Sequence, residues 1–275
     1  MNLQQYFAGL LDSHQPDLAL SEQTWDRRAD EVSRFTVSAT DVALQTVLQH
    51  HELSGQAVLE ISFGGGRHLL EFARRGARVS GVEISANMLR HTQQKLQAAG
   101  LAGQADVLLH SSWEAVDLYQ LGWEEAFDLV FLYMSPALSG TAMLRKALAT
   151  SRSGFYVCSY AHREDSLLGE LQDELGLPRR PVGSKSADGL YNLFNLLYQW
   201  GYFPQLAFEE RSSLSSHDPD YILQRYASWL WRDGASDEQC QQLLQLLRER
   251  AEGGKVSSRS RDLVGHLYLD KQMRR

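Results

Sequence analysis

Cysteine is nearly absent: Cys158 and Cys240 are the two in 275 residues, and they stand far apart. They give neither a metal-ligand spacing nor a disulfide framework, so no metal is expected and a reducing, cytoplasmic setting fits. Long apolar runs are missing too. The longest, residues 127–134, is strand-sized and far below the roughly 20 residues a membrane span needs. The first residues, MNLQQYFAGLLDSHQPD, lack the basic start and apolar core of a secretory signal. A surplus of positive charge is also lacking. With 27 Lys and Arg against 34 Asp and Glu, the net charge is -7, which argues against a nucleic-acid partner. The one basic cluster, Arg179-Arg180 near Lys185, is short and reads as a solvated loop.

What remains is the balance of a soluble globular protein, with 43% hydrophobic and 22% charged residues. The length suits one large α/β domain, or an ordinary one with additions. Residues 1–53 read as helical and polar-rich, with a helix over 39–51. From 57 onward short apolar runs alternate with helical patterns. Strands are expected at 57–61, 78–84, 105–110, 127–134 and 154–160, with helices at 67–75, 86–99 and 141–150 between them. Ser85 is the expected N-cap of the second of these helices. After residue 160 the rhythm breaks. Helices are expected near 164–175, 190–200, 221–231 and 238–250, and strands near 206–214 and 263–269. This order predicts an α/β fold: a doubly wound, mostly parallel seven-stranded sheet with helices on both faces, an antiparallel last strand and helical additions. The expected organisation is a single domain over 1–275, with an N-terminal helical lid (1–53), a core (54–160), and a C-terminal half (161–275) carrying a helical insertion at about 219–252.

Chemistry concentrates in Val58-Leu59-Glu60-Ile61-Ser62-Phe63-Gly64-Gly65-Gly66-Arg67-His68-Leu69. A strand ends, a glycine loop turns and a helix begins, at the strand end where open α/β sheets bind ligands. A dinucleotide fingerprint needs a third glycine where Leu69 stands, and a phosphate loop needs Gly-Lys-Ser/Thr, which is absent. Glu60, just ahead of the loop, suits a ligand with a cationic amino-acid end better than a pyrophosphate. A second acid, Glu83, closes the next strand, where a carboxylate can accept from ribose hydroxyls.

This arrangement resembles the class I S-adenosylmethionine-dependent methyltransferases over roughly residues 25–160. Glu60, Gly64 and Gly66 match the family's first motif, and Ser62 stands at its usual first glycine. The resemblance assigns Glu83 to the cofactor's ribose, Ile84 to the cofactor site, and Met88 to packing on the adenine. Ser112 and Trp113 take the adenine-facing positions after the third strand, Ser112 replacing the usual acid. Tyr133 and Met134 fall in the fourth motif, beside the sulfonium. The run holding Trp25, Arg28 and Phe35 resembles the lid helix of small-molecule members. The implied cofactor is S-adenosylmethionine, with S-adenosylhomocysteine as product and a small-molecule acceptor. No dedicated base stands out; Tyr133, Tyr160 and His162 are candidates for orienting an acceptor or taking its proton. The absence of Asn-Pro-Pro-Tyr or Asp-Pro-Pro-Tyr after strand four argues against amino methylation of nucleic-acid bases. Aromatics in 191–203 and 221–231 suit an acceptor pocket, the core or a homodimer contact equally. Two other readings stay open: a catalytically silent cofactor-binding protein, motivated by Ser62 and Ser112, and a nicotinamide-dependent oxidoreductase, disfavoured by Leu69.

Overall fold

A computed structural model describes residues 2–13, 16–179, 187–231 and 234–275. Arg180 and Lys185 of the basic cluster lie outside these, while Arg179 pairs with Asp173. The helices are α1 (Leu3–Asp12), α2 (Leu18–Val32), α3 (Val42–His50), α4 (Arg67–Arg74), α5 (Ala86–Ala98), α6 (Leu118–Leu121), α7 (Thr141–Thr150), α8 (Ser166–Glu174), α9 (Ala187–Gln199), α10 (Pro219–Leu230) and α11 (Asp237–Glu249). The strands are β1 (Ala57–Ile61), β2 (Arg78–Glu83), β3 (Ala105–His110), β4 (Phe127–Tyr133), β5 (Ser151–Asp165), β6 (Gln205–His217) and β7 (Val256–Asp270). They form one sheet in the order β3-β2-β1-β4-β5-β7-β6, mixed, with an antiparallel last strand.

The first five strands are parallel. Val58, Leu59 and Ile61 of β1 and Leu129 to Leu132 of β4 are fully buried, as expected of strands covered on both faces. Crossovers run outward from β1 to β3 on one side and from β4 to β5 on the other. Right-handed connections therefore set α4 and α5 on one face and α7 on the opposite one. Ser85 caps α5 as expected, accepting from the Met88 amide at 3.2 Å. No helix among the described residues is long and apolar enough to cross a membrane.

Contacts group the chain into two compact units, one of residues 1–159, 191–207 and 265–275 and one of residues 160–190 and 208–264. In the second, Leu167, Leu168 and Leu171 of α8 pack with Ile222, Tyr226 and Leu230 of α10 and with Leu243 and Leu247 of α11. The Tyr226 hydroxyl donates to Asp165 at 2.6 Å, and burial, with that bond, pushes its pKa well up, a deep anchor rather than an acid.

Strand lengths depart from expectation. β5 continues to Asp165, and both β6 and β7 reach well beyond the expected 206–214 and 263–269. Apart from the buried Val256 and Ser258, the extra residues of β6 and β7 are polar and partly or fully exposed. They are held by cross-strand pairs, Ser213 with Ser260 at 2.7 Å and Arg261 donating to Glu210 at 2.9 Å. A strand of serines and charges carries no apolar alternation, so its ends read as loop.

Candidate functional site

The glycine loop is shaped by backbone conformation first. Ser62, Gly64 and Gly66 all have left-handed φ, at 61°, 56° and 70°. Glycine takes that region freely, whereas serine is strained there. Ser62 is held nonetheless, its amide donating to the Val82 carbonyl at 2.8 Å. The loop is also tight. A Cβ on Gly65 would lie 2.7 Å from Ser33 Cα, and one on Gly66 would lie 2.4 Å from Thr92. No side chain fits there without moving backbone or helix α5.

Two buried acids flank the loop. Glu83, 4% exposed, accepts from the Gly64 amide at 2.8 Å and the Ser85 amide at 2.9 Å. One carboxylate therefore ties the glycine loop to the start of α5. Burial raises its pKa, and the amides of Ser85, Gly64 and Ile84 work against that. Glu60, 2% exposed, pairs in register with Gly81 on one side and Phe131 on the other. Burial pushes its pKa well above the usual carboxylate value. The nearby Arg67 charge and the Leu69 amide oppose the shift, and Glu83 adds to it. Its Oε2 is buried without a hydrogen-bond partner, a costly state unless a cationic donor meets it.

Helix α2 lies over the same loop. Lys95 bridges the carbonyls of Ser33 and Gly65, the latter at 2.8 Å. Asp26 accepts from Ser85 Oγ at 2.5 Å and from the Asn87 amide at 3.1 Å; the Ser85 bond in particular lowers its pKa. Further out, Asp30 meets His91 at 2.9 Å and Glu22 meets His110 at 3.2 Å. Of the lid residues expected here, Trp25 is half-buried under the Arg28 guanidinium, Arg28 pairs with Glu31 at 3.4 Å, and Phe35 is exposed. The contacts to the core come instead from Glu22, Asp26, Asp30 and Ser33. Each meets a partner 59 to 88 residues away, so nothing local signals it.

The remaining candidates divide. Met88 is buried, with its sulfur against Gly64, and the Ile84 carbonyl accepts from His110 at 2.9 Å. Ser112 Oγ accepts from the Ala115 amide at 3.3 Å. Trp113 is buried, its indole N–H donating to the Met143 carbonyl at 3.3 Å. Met134 has φ 51°, and its amide donates to the Cys158 carbonyl at 2.8 Å. Tyr133 is half-buried, with His68 at 4.4 Å and the Arg67 guanidinium over its ring at 4.3 Å. His68, buried, meets Asp41 at 3.3 Å. Burial works to raise the Asp41 pKa, but the hydrogen bonds from His68 and the Leu44 amide, with the charges of His68 and Arg67, outweigh it and hold it at about 2. Tyr160 and His162 fall in the second unit; Tyr160 lies in β5 as expected, and His162 lies within the strand and not after it. There Arg163 lies over the Tyr160 ring and His162 meets Glu164 at 3.0 Å. A cavity of about 460 Å³ is lined by Asp12, Pro16 and Leu18, by Glu114 after β3, and by Ser139 and Met143 before and within α7.

A strand-ordered sheet of 3-2-1-4-5-7-6, with glycine loop and paired acids at the carboxyl ends of β1 and β2, decides the fold. This is the class I methyltransferase fold. Residues 58–153 match the family model described as a methyltransferase domain. Among solved structures, a candidate methyltransferase from Bacillus halodurans superposes with a TM-score of 0.50 at 13% identity, covering 83% of this chain and 98% of that one. A methyltransferase from Thiobacillus denitrificans, solved with S-adenosylhomocysteine, gives a TM-score of 0.45 at 16% identity over 90% of this chain and 96% of that one. In sequence, a curated relative, ribosomal RNA small subunit methyltransferase H of a Synechococcus species, is 36% identical over 72 residues. That match spans 26% of this chain and 23% of the relative.

Proposed function

We propose that this chain moves a methyl group from S-adenosylmethionine to a small-molecule acceptor, leaving S-adenosylhomocysteine. The observation that carries the reading is the pair of buried acids on one glycine loop. Glu83 is bound to the loop's own amides, and Glu60 keeps one oxygen without a partner. A ligand with an ammonium group and vicinal hydroxyls matches that set, and the bare backbone of Gly64 to Gly66 allows it close approach.

The cofactor, when bound, supplies a methyl already activated on a sulfonium. The protein's part is then to bind, align and exclude water. Glu60 would hold the amino group, Glu83 the ribose hydroxyls, Met88 and Ile84 the apolar ring, and α2 would cover the loop against solvent. Tyr133, at the carboxyl end of β4 with Arg67 and His68 against its ring, would orient an acceptor. The small-molecule acceptor is supported by the net charge of -7, which disfavours a polyanion, and by a cavity of about 460 Å³ among the loops after β3 and β4. The ribosomal RNA relative shares a quarter of its length, so its acceptor is not carried over.

Incubating the protein with methyl-labelled cofactor and a fractionated small-metabolite extract tests the reading. Label moving into a small-molecule fraction is expected. Tight cofactor binding with no transfer to any fraction would leave the silent binding protein in its place.

A further inference from the structure

Helices favour anions in their first turn and disfavour cations, yet the first residue of α4 is Arg67. Its guanidinium stacks on Tyr133 at 4.3 Å, half-buried, and it makes no ion pair with any carboxylate among the described residues. It is near enough to Glu60 to pull that buried carboxyl's pKa down against burial. Arg28 of α2 is by contrast engaged by Glu31 at 3.4 Å. One loop thus follows a buried carboxylate oxygen without a partner and leads into a planar cation that feels both Glu60 and Asp41, makes no ion pair among the described residues, and sits where it costs helix stability. Either alone would have a bland explanation. Together they have the polarity of a receptor for a zwitterion.

We propose that Glu60 and Arg67 form a charge-paired subsite for an α-amino-acid head group, with Arg67 taking the carboxylate that Glu60 cannot. This rests on the cofactor reading above, and it adds that Arg67 is the carboxylate ligand. Stacking on Tyr133 pre-orients the guanidinium, so a bidentate bond to a carboxylate loses little side-chain freedom on forming. The same stack links head-group binding to the tyrosine placed at the fourth motif.

The test is calorimetric titration of wild type, Arg67→Met and Arg67→Lys with three compounds: S-adenosylhomocysteine, its decarboxylated counterpart, and methylthioadenosine, which lacks the whole head group. Methionine keeps the apolar stem against Tyr133 and removes the charge. Wild type is expected to prefer S-adenosylhomocysteine over the decarboxylated compound by about ten- to a hundredfold, the range of a charge-assisted bond. Arg67→Met should abolish that preference and leave the decarboxylated compound's affinity unchanged; Arg67→Lys should restore part of it. If Arg67→Met keeps the wild-type preference, or weakens all three compounds equally, the assignment is wrong. If wild type binds none of the three, the cofactor reading itself fails, which is a different outcome from loss of discrimination.

Discussion

Replacing Glu83 by alanine removes the acceptor of two buried amides at once, Gly64 at 2.8 Å and Ser85 at 2.9 Å. A buried N–H left without a partner costs about 1–3 kcal/mol, and the lost methylene and carboxyl add a small cavity cost. Against this, burial raises the pKa of Glu83 despite its amide donors, so the fold is also relieved of a desolvated charge. The net loss should be about 2–4 kcal/mol. For a chain of this size a kcal/mol moves the melting temperature by roughly 2–4 °C, giving a drop of about 4–16 °C without any ligand. Glu83→Gln keeps one carbonyl oxygen for one of the two amides and should fall about midway. Thermal unfolding of the three proteins by differential scanning calorimetry, in ligand-free buffer, measures this. An alanine variant melting with wild type would show that this carboxylate does not hold the loop, and its proposed role toward the ribose would lose its structural basis.

Ser62→Gly should relieve the left-handed strain at φ 61° and raise stability by about 0.5–1 kcal/mol, with cofactor affinity unchanged; a lower unfolding midpoint in urea would contradict this. Asp41 has its pKa held at about 2 against an unfolded value of 3.8, so its contribution is fully present above the unfolded value and disappears as pH falls towards 2. Asp41→Asn should therefore cost about 1–2 kcal/mol near neutral pH, after allowance for solvent screening, and almost nothing near pH 2; a pH-independent difference in denaturation midpoints would refute the pairing with His68. Asp26→Ala removes the acceptor from Ser85 and Asn87 and should speed amide exchange across residues 18–33 several-fold while leaving β1 and β4 protected. Unchanged exchange there would mean that Asp26 does not latch α2.

Much of the fold was readable because its signals are local. The apolar runs of β1 and β4, the glycine that follows α4 (Gly76, φ 86°) and the cap at Ser85 each occupy a few adjacent residues. Glu60, the glycines and Glu83 sit within one strand–loop–helix–strand stretch, so their juxtaposition follows from the elements themselves. The Asp41–His68 and Asp26–Ser85 contacts join residues 27 and 59 apart, and no periodicity reports such pairs. The long polar halves of β6 and β7 failed for the opposite reason: their pairing is visible only across the sheet. Arg67 did leave a signal, a cation at a helix start directly after a glycine loop. It is the kind of locally unfavourable residue that marks a functional position, and it gains its meaning beside Glu60.

The central claim is that the loop between Glu60 and Glu83 binds S-adenosylmethionine rather than a dinucleotide. Calorimetric titration of the intact protein with S-adenosylhomocysteine and, separately, with NAD tests it most directly. One site per chain for S-adenosylhomocysteine, lost on Glu60→Gln, and no detectable heat with NAD are predicted. Saturable binding of NAD with none of S-adenosylhomocysteine would contradict the account.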